Sequence, residues 1–249
     1  MSIEQLTVQL PAPKPLALRD CAVFLDLDGT LAPIAARPQD VRPDPRRTDL
    51  LERLARATNG RLAVVTGRTL DDADRILEGR VAAVAAVHGL VRRDAQGGLH
   101  QAAAHPRLRE AAEALRDFAA RDSGLLVEEK GLSVALHFRL AGHCAEAARE
   151  FGRRVAAETG LSLQDGDMVE ELRTPGPTKA DSVEAFMAEP PFKGAIPIFL
   201  GDDATDEDGF AAAQALGGFG VLVGAARPTG ARYRIADVNG ALSWLEAAL

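Results

Sequence analysis

Asp26-Leu27-Asp28-Gly29-Thr30 places two carboxylates two residues apart at the end of an apolar run. In a strand such residues point to one side, so Asp26 and Asp28 can share a site while Leu25 and Leu27 point away. Adjacent carboxylates are costly unless a cation lies between them or one stays protonated. Gly29 gives the backbone freedom for a sharp exit. The same residues also suit a plain turn that caps the next segment. Thr66-Gly67-Arg68 closes a second apolar run; its hydroxyl and backbone N–H groups suit a phosphate oxygen, and Thr66 suits equally well the N-cap of a helix beginning near Thr69. After the apolar run at 195–200 and Gly201, Asp202–Asp208 packs five acids into seven residues, oxygen donors of the kind a hard divalent ion takes. Asp206 and Glu207 fit the first turn of a following helix through its dipole. Asp202 and Asp203 precede that helix and are the stronger metal candidates. Lys179 opens a helix in a Thr-Lys setting and draws its interest from these neighbours.

Parallel strands would gather such groups at one edge. Apolar runs at 22–27, 61–65 and 81–87 alternate with helical periodicity at 44–58 and 69–77, the pattern of right-handed parallel crossovers. The runs are apolar throughout, as expected of a sheet covered on both faces, and ligands bind at the carboxyl ends of such strands. The texture changes after Gly89. Hairpin-like segments at 91–101, 125–139 and 161–173 alternate with helices at 106–120 and 144–159, which predicts an antiparallel sheet with helices on one face. The parallel pattern resumes at Thr178: helix to 187, strand 195–200, helix 206–216, strand 219–223 and a last helix near 241–249. The expected fold is α/β, a parallel-sheet Rossmann-like core interrupted by an inserted α+β module. Its expected parts are a flexible lead-in at 1–19, the core at 20–89 and 174–249, and the insert at 90–173. No internal repeat is evident.

Composition narrows the functional classes. The 249 residues are 47% hydrophobic and 26% charged, ordinary for a globular protein. The net charge of −7 argues against a nucleic-acid partner. No apolar run approaches the ~18 residues that cross a membrane. The N-terminus lacks the apolar core of a secretory signal, and Cys21 and Cys144 form no metal-type pair, so reduced thiols and a cytoplasmic enzyme are expected. A monomer is the simplest expectation.

In combination and order, DxDGT, TGR, a lysine and GDDxTDED resemble the haloacid-dehalogenase-like phosphatase superfamily. Within it, DLDGTLAPI, VTGR, His88-Gly89, EEKGLSVALHFR, EELRTPGPTK and FLGDDATDED resemble the trehalose-6-phosphate phosphatase family, over roughly residues 20–225. The resemblance implies that Asp26 is the nucleophile that becomes an aspartyl-phosphate, and that Asp28 is the acid and then the base. It implies that Thr66 and Lys179 hold the phosphoryl oxygens, with Leu27, Gly67 and Arg68 in the same substrate site. Mg²⁺ would be bound by the Asp26 carboxylate, the Asp28 carbonyl and Asp202, with Asp203 supporting or alternative. The insert would be a cap whose Glu128, Lys130, His137, Arg139 and Glu171 face the sugar. Lys179 precedes Ala180 where the family commonly has glycine, a change the site should tolerate.

The implied substrate is a small-molecule sugar phosphate, trehalose 6-phosphate first and another such as sucrose phosphate second. A signalling receiver domain also uses an acidic pocket, a Thr and a Lys on a parallel sheet. It has neither the long insertion nor the DxDGT spacing. A catalytically silent sensor would have little reason to keep both Asp26 and Asp28.

Overall fold

The computed structural model describes residues 10–249, so the lead-in expected over 1–19 lies half outside the described residues. In chain order the elements are β1 (Cys21–Leu25), α1 (Pro45–Ala57), β2 (Leu62–Val65), α2 (Leu70–Leu77), β3 (Ala83–Ala86), β4 (Val91–Arg93), β5 (Leu99–Gln101) and α3 (Leu108–Ala119). There follow β6 (Leu126–Glu129), β7 (Ser133–His137), α4 (Ala145–Thr159), β8 (Ser162–Gly166), β9 (Val169–Arg173), α5 (Lys179–Ala188) and β10 (Ile196–Gly201). The chain closes with α6 (Glu207–Ala215), β11 (Phe219–Val223), β12 (Tyr233–Ile235) and α7 (Val238–Glu246).

Eight strands form the larger sheet in the order β12-β11-β10-β1-β2-β3-β4-β5. The six from β12 to β3 are parallel. Every residue of β1, β2 and β3 is buried, because helices cover both faces. Along β1, Val23 and Leu25 join the core beneath α1, α2 and α7, while Ala22 and Phe24 join the opposite core with Phe186, Phe192 and Phe210. Phe24 stacks on Phe192 at 5.6 Å between centroids. The doubly covered parallel sheet expected from continuous apolar runs is therefore present.

Three elements differ from the sequence reading. The 91–101 hairpin pairs antiparallel with β3 and extends the larger sheet, although its texture resembles that of the insert. Arg93 fixes it there through a two-pronged pair with Asp74 of α2. β12 was not foreseen: three residues, two of them partly exposed, leave little apolar signal. Strand β3 stops at Ala86 because Val87 and His88 turn into the left-handed region, at φ 48° and 55°.

The smaller sheet is antiparallel, in the order β6-β7-β9-β8. Val134, Leu136 and Leu172 face α3 and α4 and bury Leu115, Phe118 and Val155 between sheet and helices. Alternation sends Glu128, Ala135, Glu171 and Gln164, aligned across the four strands, to the other face. That face looks onto the carboxyl edge of the larger sheet. No helix among the described residues is long and apolar enough to cross a membrane.

Candidate active site

The cleft between the two sheets is lined from below by Asp26, Asp28, Thr66, Gly67, Arg68, Lys179, Asp202 and Asp203. From above it is lined by Glu128, Lys130, His137, Arg139 and Glu171. All the candidates from the sequence converge here except Leu27. Its side chain is fully buried in the core beneath α1, which leaves only its backbone to face the site.

Asp26 sits one residue past β1, where its N–H donates to the Leu200 carbonyl of β10 at 2.9 Å. Its Oδ1 accepts from Lys179 Nζ at 2.9 Å, and the same ammonium donates to Asp206 Oδ1 at 2.6 Å. Lys179 arrives there as the first residue of α5, which the capping box of Thr178 and Asp181 begins. Asp206 is fully buried, and its other oxygen accepts the N–H groups of Asp202 at 2.9 Å and Asp203 at 3.2 Å. The helix-dipole role expected of Asp206 is thus the minor part of its work. It ties the acidic loop to Lys179.

Asp203 caps the turn that follows, accepting from the Thr205 N–H at 2.8 Å and hydroxyl at 2.6 Å. Carboxylate oxygens of Asp26, Asp202 and Asp206 lie within 4.8 Å of one another, so the metal candidates drawn together are these three rather than Asp203. Gly29, at φ 81°, permits the approach: a Cβ there would stand 1.9 Å from Asp202 Oδ2. Burial, then Asp206 and Asp203, push Asp202 up to about 8. Burial raises Asp26 well above the usual carboxylate range, against the pull of Lys179. Two buried carboxylates share the Lys179 ammonium with the half-buried Asp202 beside them, and an all-oxygen donor set with excess negative charge fits a hard divalent cation.

Asp28 takes a different direction. Both its oxygens accept from Arg68, at 2.6 Å from Nε and 2.7 Å from Nη2. Arg68 is buried and also contacts Asp72 and the Pro38 carbonyl. Thr69, not Thr66, caps α2, accepting from the Asp72 N–H. Thr66 is left with its hydroxyl turned into the cleft loop, where it accepts the Arg68 N–H at 3.2 Å.

On the upper wall, Lys130 Nζ donates to Glu171 Oε2 at 2.6 Å and to the Gly67 carbonyl at 3.0 Å. Burial alone would lower the Lys130 ammonium, but Glu171 and Glu128 hold it above its usual value. Glu171 lies well below the carboxylate range, since Lys130 and His88 outweigh its burial. His137 pairs with Glu128 at 2.8 Å, and Arg139 with Asp167 at 3.0 Å. The sequence reading missed Asp167, Gln164 and the catalytic-edge position of Asp206. It noted His88 only as part of a motif. Position alone could have flagged Gln164, which lies in register with Glu171.

The Trehalose-phosphatase family model matches residues 24–239. The trehalose-6-phosphate phosphatase of Escherichia coli (strain K12) is 37% identical over 227 residues, covering 90% of this chain and 85% of that one. A solved trehalose-6-phosphate phosphatase related protein is 27% identical with a TM-score of 0.75, over 90% of this chain and 95% of that chain. A phosphatase of the haloalkanoate (HAD) superfamily from Bacteroides thetaiotaomicron shares the fold, with a TM-score of 0.64 at 18% identity, over 92% and 94% of the two chains.

Proposed function

The chain belongs to the trehalose-phosphatase family, and on that premise we propose that it hydrolyses trehalose 6-phosphate through an aspartyl-phosphate on Asp26. The observation that carries this reading is one cleft with two kinds of wall. Below lie a buried carboxylate, a lysine and a hydroxyl suited to a phosphoryl group; above lie Glu128, Lys130 and Glu171, suited to a disaccharide that is nearly all hydroxyl.

Asp26 attacks phosphorus, its oxygen forming the new P–O bond while the bond to the sugar oxygen breaks. Thr66 and Lys179 hold the equatorial oxygens, since phosphoryl transfer needs positioning and charge neutralisation above all. Asp28 gives its proton to the departing sugar oxygen. It then takes one from the water that attacks phosphorus and frees Asp26. The Arg68 fork now occupies both Asp28 oxygens, so Asp28 must exchange Arg68 for the substrate before it can carry a proton. Mg²⁺ held by Asp26, Asp202 and the Asp28 carbonyl would supply neutralisation of the phosphoryl charge. Asp206, whose oxygens are committed to Lys179 and two N–H groups, orients those ligands. The sugar-reading cap is the inserted module at 90–173 less the β4–β5 hairpin, which pairs with the core.

Phosphate release from trehalose 6-phosphate, sucrose 6-phosphate and glucose 6-phosphate, with Mg²⁺ and with EDTA, tests the substrate and the metal. Trehalose 6-phosphate should have the highest kcat/KM, and EDTA should abolish turnover. Hydrolysis of a substrate made chiral at phosphorus with oxygen isotopes should proceed with retention of configuration, the result of two successive in-line displacements. Inversion would mean direct attack by water and would remove Asp26 from the role of nucleophile.

A further inference from the structure

His88 occupies the point where the phosphoryl-site loop and the inserted module meet. Its own N–H donates to the Thr66 carbonyl at 2.9 Å, and the preceding N–H of Val87 donates to the Arg68 carbonyl at 2.8 Å. The turn is therefore stitched to both sides of Gly67. Val87 and His88 pay for it with left-handed backbone, a genuine outlier for a β-branched residue. Such strain persists only where its surroundings over-determine it, and it gathers at functional sites.

The strain has a directional result. It turns the His88 ring over Gly67, where a Cβ would stand 2.4 Å from Nε2; glycine is the residue that admits the ring. The ring then reaches two residues of the smaller sheet. Gln164 Nε2 of β8 lies 2.9 Å from His88 Nδ1, and Glu171 Oε2 of β9 lies 3.5 Å from His88 Nε2. These two partners are directly opposite in the β8–β9 register. Glu171 Oε2 also accepts from Lys130, whose ammonium returns to the Gly67 carbonyl.

The Glu171 carboxylate can only accept, so it favours the imidazole proton on Nε2, and the Gln164 amide then donates to the unprotonated Nδ1. Nε2 then faces the Glu171 carboxylate as a donor. The alternative tautomer would turn a lone pair toward that carboxylate. Burial holds the imidazole below its usual pKa, so a single ring proton must be placed; Glu171 draws it to Nε2 and Gln164 completes the arrangement at Nδ1.

We propose that His88 is a positioning residue that seats the cap: braced by Gln164 at one ring nitrogen, it holds Glu171 with the other over the phosphoryl-site loop and so couples sugar reading to the place where phosphorus reacts. The proposal rests on the trehalose 6-phosphate reading above and extends it to two residues. It assigns to His88 no contact with phosphorus. Its effect passes through Glu171, and should therefore fall on substrates that carry a sugar for Glu171 to hold.

Two variants test this in the full chain. His88→Asn accepts left-handed backbone readily but cannot span from Gln164 to Glu171. Gln164→Leu keeps the bulk and removes the amide. In each, the ratio of kcat/KM for trehalose 6-phosphate to kcat/KM for p-nitrophenyl phosphate should fall at least about tenfold, with the loss chiefly in KM for the sugar phosphate. Long-range ¹H–¹⁵N spectra of imidazole-labelled wild type should show His88, identified by its absence from His88→Asn, as the Nε2–H tautomer. Equal losses on both substrates, or an Nδ1–H tautomer or imidazolium at neutral pH in wild type, would overturn the proposal. Wild type that ignores trehalose 6-phosphate would overturn the functional reading instead, while the tautomer measurement would still judge the His88 geometry.

Discussion

Lys179 Nζ lies 2.9 Å from Asp26 Oδ1, a contact between residues 153 positions apart with both side chains buried. Lysine is almost never buried unless paired, and here its partners are the proposed nucleophile and Asp206. Removing one member of a buried ion pair strands the other charge at a cost of about 3–5 kcal/mol. Lys179→Met should therefore lower stability by about that amount in urea denaturation and abolish phosphate release. Unchanged stability would mean that the carboxylates are neutralised by something other than Lys179.

Asp202 and Asp206 should separate by what they lose. Asp202→Asn removes a proposed cation ligand whose side chain accepts no hydrogen bond from the described residues. The Mg²⁺ concentration for half-maximal activity should rise at least about tenfold, equivalent to about 1.4 kcal/mol of binding, with little change in Tm. Asp206→Asn disturbs bonds to Lys179 and to two backbone N–H groups, and should lower Tm by about 5 °C. The same Tm in both variants would show that Asp206 does not organise the loop.

On the cap, Lys130→Ala and Glu171→Gln break the pair that reaches the Gly67 carbonyl. Charge-assisted hydrogen bonds contribute about 1.5–3 kcal/mol, which is roughly ten- to a hundredfold. Both variants should lose at least about tenfold more kcat/KM on trehalose 6-phosphate than on an aryl phosphate. Proportional losses on the two substrates would place these residues in catalysis or folding.

Glu170 supplies a pH dependence away from the cleft. It is buried on the helix-facing side of β9, opposite Asp165. Burial and Asp165 push its carboxyl from 4.5 up to about 8. The folded state thus keeps a proton that the unfolded chain releases above 4.5, so stability should fall as pH rises from 4.5 to 8 and level off above. Glu170→Gln should flatten that slope of Tm against pH. An equally steep slope in the variant would assign the dependence to another group.

Much of this was legible in the chain itself. Continuous apolar runs announced a parallel sheet buried on both faces, because period and composition are local properties. The acidic and Thr-Gly-Arg motifs followed those runs, and strands of a parallel sheet deliver their carboxyl ends to one edge. Local signals could not say which of several eligible partners each group would meet. Thr66 suited the N-cap of a helix beginning near Thr69, but the backbone made Thr69 itself the cap of α2. Asp206 read as a helix-dipole residue until the fold brought Lys179 to it from 27 positions away. The 91–101 hairpin looked like part of the insert because hairpin texture is the same in any sheet; pairing with β3 decided its place. Gln164 and His88 carried no motif linking them. Their contact depends on strained backbone at one residue and strand register at the other, joined across two sheets, and such geometry exists only in the folded chain.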